Sequence, residues 1–248
     1  MNREPAFNVP PVIVGLLAVL AAIHLVRTML LTPAQDDMML GLLVFDPLRY
    51  ESGLLPGGAL PGGFGAEVWT FFTYALIHAS WMHYGVNAIW LLPFGSALAR
   101  RFGPWRFLAF FAVTAALGAF AHLVAYAGEN APVIGASAAI SGTMAGAMRF
   151  VFQPGGPLSF FRTGEDGDFQ VPAIPLLGVL RDARVLLFLI VWFGINMLFG
   201  ASSMPMMGLS PGETVAWQAH IGGFLGGLLI FSWFDPAPGN LRSGAPRH

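Results

Sequence analysis

The chain has 248 residues, of which 56% are hydrophobic and 10% are charged, and its mean hydropathy is +0.67. A soluble domain carries about 25% charged residues, so this composition excludes an ordinary soluble enzyme and a disordered chain. The net charge of −1 offers no basic surface for nucleic acid. Cysteine is absent, which excludes disulfides, thiolate metal sites and a cysteine nucleophile.

Six apolar segments along the chain predict an all-α membrane protein with six transmembrane helices. The segments cover residues 12–31, 81–98, 105–126, 133–152, 185–199 and 215–234. They predict a single membrane domain over residues 12–234, between a short N-terminus (1–11) and a C-terminal tail (235–248). The long connection between the first two segments is rich in Pro, Gly and aromatic residues, which indicates a loop lying in the membrane interface.

Arginine supplies all 12 basic residues, and its distribution predicts the orientation. With the N-terminus inside, only Arg27 and Arg49 fall on the outer side. The inner side then holds the other ten: Arg3, Arg100, Arg101, Arg106, Arg149, Arg162, Arg181, Arg184, Arg242 and Arg247. Because positive charge concentrates on the cytoplasmic side, we expect a multi-pass protein of the cell (inner) membrane with both termini in the cytoplasm.

The second segment carries His83 and Asn87, four residues apart and therefore on one helix face. Polar groups inside a membrane are costly, so each is a candidate functional residue. The alternative is that the pair only bonds neighbouring helices together. His78 precedes this segment, where it would brace the first connection or the site. The sequence gives no partner for His24, His122 or Asn196, for which it favours structural roles.

The fourth and sixth segments each combine one polar residue with small residues. Ser137 opens a stretch of Gly, Ala and Ser that would also suit a helix-packing face. His220 is followed by Gly223 and Gly227 on the same helix stripe, which permits a close neighbour. Segments two, four and six run in the same direction. Their polar residues therefore share one depth, on the order of 6–9 Å below the outer surface, which favours one site over separate packing roles.

The chemistry that this set supports best is acyl transfer from a peptide bond to water. A serine needs a base to take its proton, and a neutral His220 near Ser137 would serve. The sequence has no membrane-embedded Asp or Glu placed to orient this histidine, which predicts a dyad. His83, Asn87 and the Ser137 backbone N–H would stabilise the oxyanion. His78, His83 and His220 offer zinc ligands in principle, but no His-Glu-x-x-His pattern or adjacent carboxylate supports one. We expect no metal and no cofactor.

Three motifs resemble those of the rhomboid intramembrane serine proteases: His78-Ala-Ser-Trp-Met-His83-Tyr-Gly-Val-Asn87, Gly135-Ala136-Ser137 and Ala219-His220-Ile-Gly-Gly. The resemblance implies a six-helix rhomboid-like bundle of the basic prokaryotic form. It implies Ser137 as nucleophile and His220 as general base, with His83 and Asn87 in the oxyanion hole. It further implies single-span transmembrane proteins in the lipid bilayer as substrates, and a site open to the outer side.

The same resemblance extends to the parts around the site. It implies that Trp69 begins a membrane-embedded hairpin, that the fifth segment flanks lateral access, and that residues 201–214 form a cap. The cap is rich in methionine (Met204, Met206, Met207), and we expect it to move to admit substrate.

The sequence departs from the family pattern at four positions. Ala138 replaces the Gly of Gly-x-Ser-Gly, and its methyl is expected near the oxyanion hole. Ser141 replaces an aromatic residue under the histidine, so a hydrogen bond from Ser141 is expected to hold His220 instead. Thr70 stands where an Arg usually follows Trp, and Ala99 where a Glu is common. Gly135 and His78 are expected to support the site.

Two other functions compete with proteolysis. The first is a non-catalytic rhomboid-like protein that binds transmembrane helices, against which the presence of both nucleophile and base argues. The second is a small transporter or proton relay. It is disfavoured because the polar groups cluster at one depth and no intramembrane carboxylate continues them into a path.

Overall fold

The computed structural model describes residues 9–51, 60–158, 166–201 and 216–236. Within these ranges, strand structure is limited to one isolated antiparallel bridge between Phe45 and Val133. The predicted all-α class is therefore confirmed for the described part of the chain. Its helices are α1 (Pro11–Met29), α2 (Pro33–Leu43), α3 (Gly63–Thr73), α4 (Trp81–Phe102), α5 (Pro104–Ala125), α6 (Ser137–Met148), α7 (Leu176–Val179), α8 (Ala183–Ala201) and α9 (Trp217–Phe234).

Each of the six predicted segments overlaps one helix: α1, α4, α5, α6, α8 or α9. By length and hydropathy, α1 and α5 are sufficient to cross a membrane, and Ala183–Leu198 of α8 is a shorter apolar helix. Polar residues interrupt α4 and α9. The 12 residues of α6 reach about 18 Å, against a hydrocarbon core of about 30 Å. The six-span arrangement therefore stays a prediction.

Helix α6 forms the centre of the bundle, because every residue from Ala138 to Met148 is buried. Helix α9 packs along α5 and α6, while α4 lies against α6 and α1 lies outside α4. Glycines on α9 permit this approach. A Cβ added at Gly227 would lie 2.6 Å from the Cα of Gly142, which is too close for any side chain. The small-residue stripes are thus the contact between α6 and α9.

The outer surface of the bundle is apolar. Large side chains such as Ile89, Val124 and Ile190 are about two-thirds exposed, at 67%, 67% and 70%. A soluble protein rarely exposes apolar surface of this kind. In a membrane, lipid tails would cover these side chains.

The first connection folds into α2 and α3 and holds the chain that leads to α6. Val133 N–H donates to the Phe45 carbonyl (2.8 Å), and Gly135 N–H donates to the Tyr74 carbonyl (3.0 Å). These bonds hold the chain outside the helix before Ser137, so α6 begins at Ser137 rather than at residue 133. Trp69 lies within α3 and donates to the Leu42 carbonyl (2.7 Å), which corrects the expectation that it begins the hairpin.

A buried ion pair ties the opposite end of the bundle together. Arg101 at the end of α4 pairs with Asp235 after α9 (2.8 Å), with side-chain exposures of 0% and 6%. The same guanidinium donates to the carbonyls of Phe169 and Val171, both at 2.8 Å. The chain after α6 is held likewise, because Arg149 donates to the Ile174 carbonyl (2.6 Å).

Candidate active site

The site is built on the contact between α6 and α9. Ser137 is the first residue of α6, and His220 lies in the first turn of α9. The His220 Nε2 atom lies 2.7 Å from the Ser137 Oγ atom. Both side chains are half-buried. A hydroxyl at this distance from an imidazole nitrogen has the geometry that proton transfer requires.

Helix α4 brings His83 and Asn87 to the same corner. The Ser80 hydroxyl caps α4 by accepting from His83 N–H (3.1 Å), and Asn87 Nδ2 donates to the His83 carbonyl (3.1 Å). Gly135 adopts a φ of +112°, and a Cβ there would lie 2.6 Å from His83 Nε2 and 3.7 Å from Asn87 Nδ2. Gly135 thus lets the His83 ring approach the chain just before Ser137, where the Asn87 amide lies at ordinary contact distance.

The hydrogen bonds around His83 indicate which ring nitrogen carries its proton. Nδ1 of His83 lies 3.5 Å from the Ala79 backbone N–H, which can only donate. In the neutral ring Nε2 then carries the hydrogen, and this is the atom that faces Gly135. The first backbone N–H groups of α6 also lack carbonyl partners within the helix. Donors from two helices therefore converge beside Ser137.

Asn196 on α8 is the site residue that sequence reasoning missed. The sequence favours a structural role for it, whereas the structure brings its Oδ1 into a short hydrogen bond with His220 Nδ1. Its Nδ2 donates to the Trp192 carbonyl (2.8 Å), and its side chain is 8% exposed. One chemical argument could have pointed to such a residue in the sequence. A histidine that acts as a base through one ring nitrogen needs a hydrogen-bond partner for the other.

Two expectations near Ser137 are wrong. Ser141 does not bond to His220, because its Oγ donates to the Ser137 carbonyl one helical turn earlier (2.8 Å). Ala138 does not crowd the oxyanion side. Its methyl packs where α5 has Gly118, and a Cβ at Gly118 would lie 2.6 Å from it. The methyl therefore fills a space between α5 and α6.

His78 is fully buried and contacts both the site and helix α1. Its ring lies 5.2 Å from the His83 ring, centroid to centroid, and its carbonyl accepts from Arg27 (2.9 Å). Burial, together with the neighbouring His83, lowers the pKa of His78 to about 3, so this ring is neutral.

The structural roles that the sequence favours for His24 and His122 stay predictions. His24 packs edge-on against Trp81, and His122 Nε2 contacts the Ala131 carbonyl (2.8 Å). Among the described residues, no group of three or more His, Asp or Glu side chains could hold a metal ion.

A cavity of about 820 Å³ opens around Ser137. Apolar side chains from three helices form one wall. The polar groups beside Ser137 come from His83, Asn87, Asn196 and His220, and the lining further includes Asp46, Arg49, Glu129 and Asn130. The apolar wall consists of Val86, Trp90, Ile140, Met144 and Trp192. Met204, Met206 and Met207 of the predicted cap lie outside the described residues.

The fold and the site define a helical membrane protein with a serine–histidine pair facing a largely apolar cavity. A model of the Rhomboid domain matches residues 65–234, and the chain belongs to the rhomboid family. This confirms the resemblance drawn from the three motifs. Members of the family are membrane proteins and in general intramembrane serine proteases. A search of curated proteins finds no match to the sequence.

Proposed function

We propose that the protein is an intramembrane serine endopeptidase that cleaves single-span membrane proteins in or near their transmembrane segments. The observation that carries the proposal is the 2.7 Å distance between Ser137 Oγ and His220 Nε2. A serine that served only helix packing would not require an imidazole partner beside an 820 Å³ cavity.

Acylation follows from the positions of these atoms. Ser137 Oγ attacks the substrate carbonyl carbon while its proton passes to His220 Nε2. The carbonyl oxygen becomes an oxyanion, for which His83 Nε2–H, Asn87 Nδ2–H and the Ser137 backbone N–H are the donors. Each such donor is worth roughly 10²–10³ in rate. The C–N bond then breaks, and the proton on His220 passes to the leaving amine.

Deacylation repeats the same steps with water. His220 Nε2 takes a proton from water as its oxygen attacks the ester carbon, and then returns that proton to Ser137 Oγ as the acid product leaves. No cofactor or metal takes part in this scheme. The pair works only with a neutral His220, so cleavage should fall on the acid side of the pH profile.

The proposed setting is the cell (inner) membrane, with both termini in the cytoplasm and the site on the outer side. The arginine distribution supports this orientation, since ten of 12 fall on the inner side. The apolar wall of the cavity supports a substrate that arrives from the bilayer. Such a segment must unwind locally, because its own helical ladder otherwise shields the peptide bond.

Cleavage of a tagged single-span reporter in membranes tests the proposal. Wild type should yield product, whereas Ser137→Ala and His220→Ala should yield none above background. Met197→Ala, a change on the exposed side of α8, serves as the folded control. Failure of the folded wild-type protein on several reporters would reject the protease and favour a non-catalytic helix-binding member of the family.

A further inference from the structure

The strongest feature that the proposed chemistry leaves unused is the amide of Asn196. It is buried, it lies on a helix other than those of Ser137 and His220, and both its polar atoms have partners. We infer that Asn196 is a positioning residue that sets the tautomer and orientation of His220. This inference rests on the proposed protease function and adds a third member to the pair.

The direction of the amide is fixed by its partner on α8. The Trp192 carbonyl can only accept a hydrogen bond, so the Asn196 atom 2.8 Å from it must be the donating Nδ2. Oδ1 is then the atom that faces His220. The usual ambiguity between the nitrogen and oxygen of an asparagine side chain is thus resolved by the backbone of its own helix.

An acceptor beside Nδ1 determines where the imidazole proton sits. Because Asn196 Oδ1 accepts, His220 Nδ1 must carry the hydrogen, and Nε2 of the neutral ring keeps its lone pair. That lone pair lies 2.7 Å from Ser137 Oγ, where the base has to act. The opposite tautomer would direct an N–H at the serine and could not take its proton.

The position of Asn196 depends on how α8 sits against the bundle. Trp192, one turn earlier, stacks on Phe224 of α9 with ring centroids 5.0 Å apart, and Phe188 contacts Phe94 of α4 at 5.6 Å. Most other large side chains along α8 are exposed, including Leu187 (64%) and Ile190 (70%). The orientation of the base therefore depends on a helix with few anchors, so displacement of α8 would release His220 Nδ1.

Two substitutions separate this role from packing. Asn196→Leu keeps the branched shape with a larger volume and removes the acceptor, whereas Asn196→Asp keeps an acceptor and loses the donor to Trp192. With the reporter, kcat of the Leu variant should fall roughly 10-fold or more, within the roughly 10²–10⁴-fold that general-base catalysis contributes, while KM stays near wild type. The Asp variant should retain most of kcat. Met197→Ala, whose side chain is 42% exposed, should match wild type.

A measurement without turnover keeps the inference separate from the proposed function. Nitrogen NMR of ¹⁵N-histidine-labelled protein, with His220 assigned by its loss in His220→Ala, reports which ring nitrogen is protonated. Wild type and the Asp variant should show protonated Nδ1, and the Leu variant should lose that preference. Protonated Nε2 in wild type, an unchanged tautomer in the Leu variant, or equal losses of kcat in both Asn196 variants would overturn the inference. Absence of wild-type cleavage would reject the protease while leaving the tautomer result to stand.

Discussion

Gly223→Ala should separate the two helices that carry Ser137 and His220. Gly223 lies one turn after His220, against the backbone of Ala138. A Cβ there would overlap the Ala138 carbonyl oxygen and lie 2.7 Å from the carbonyl carbon, whereas ordinary contact begins at 3.4 Å. Both obstacles are backbone atoms of a buried helix, so no side chain can rotate away. Helix α9 must therefore move out by at least about 0.7 Å.

This shift is large compared with the tolerance of the site. Added to the present 2.7 Å, it would stretch the Ser137–His220 distance to about 3.4 Å, beyond the roughly 2.6–3.2 Å of a productive hydrogen bond. Misplacement of catalytic groups by about 1 Å costs about 10² in rate. Overpacking of a core lowers the free energy of unfolding by about 1–3 kcal/mol. The better helix propensity of alanine offsets less than about 1 kcal/mol of this loss.

Reporter cleavage and thermal unfolding in detergent would be measured together on purified protein. Gly194→Ala on α8 and Gly15→Ala on α1 are matched controls, because an added methyl at either position meets nothing within 4 Å. Both controls should keep wild-type cleavage and stability. Full activity of Gly223→Ala would refute the argument that the close approach of α6 and α9 aligns the serine and the histidine.

Three further predictions concern contacts around the bundle. Gly118→Ala should reduce both cleavage and thermal stability, because the new methyl clashes with the Ala138 methyl. Adding Ala138→Gly should restore part of each. A double variant with no more activity or stability than the single variant would contradict this packing. Asp235→Ala should lower the free energy of unfolding by about 3–5 kcal/mol, since it leaves the buried Arg101 without its carboxylate; a loss below about 1 kcal/mol in an unfolding titration would argue against burial of the pair. Because the pKa of His78 is about 3 when folded and 6.5 when free, the unfolded chain binds its proton first as pH falls. The free energy of unfolding should therefore decline below about pH 6, by at most about 1.4 kcal/mol per pH unit, and this decline should be smaller in His78→Leu.

The helices of the bundle were predictable because apolar length and small-residue spacing are local signals. The glycine stripe at Gly223 and Gly227 indicated a close neighbour, and α6 is that neighbour. The start of α6 was not predictable from hydropathy, which includes residues 133–136. Their non-helical conformation depends on bonds to the carbonyls of Phe45 and Tyr74, far earlier in the chain.

The candidate site was predictable where residues lie on one helix or in one motif. His83 and Asn87 share a face of α4 through their spacing. Asn196 could not be found in this way, because no spacing rule relates a position on α8 to His220 on α9. Its rotation toward the site is decided by the stacking of Trp192 on Phe224, which is a tertiary contact. Likewise, the space that the Ala138 methyl occupies exists because Gly118 on α5 has no side chain, which is a tertiary contact.

The order of the helices along the chain has a consequence for biosynthesis. Ser137 is made 83 residues before His220, and Arg101 is made 134 residues before Asp235. Of the described helices, α9 is made last, and with the residue after it α9 brings both the proposed base and the carboxylate that pairs with the buried guanidinium. Until α9 inserts, Ser137 has no histidine beside it. The surface of α5 and α6 that the glycines of α9 cover is then also unoccupied by that helix. On the proposed function, the serine–histidine pair therefore stays incomplete during synthesis until α9 has been made.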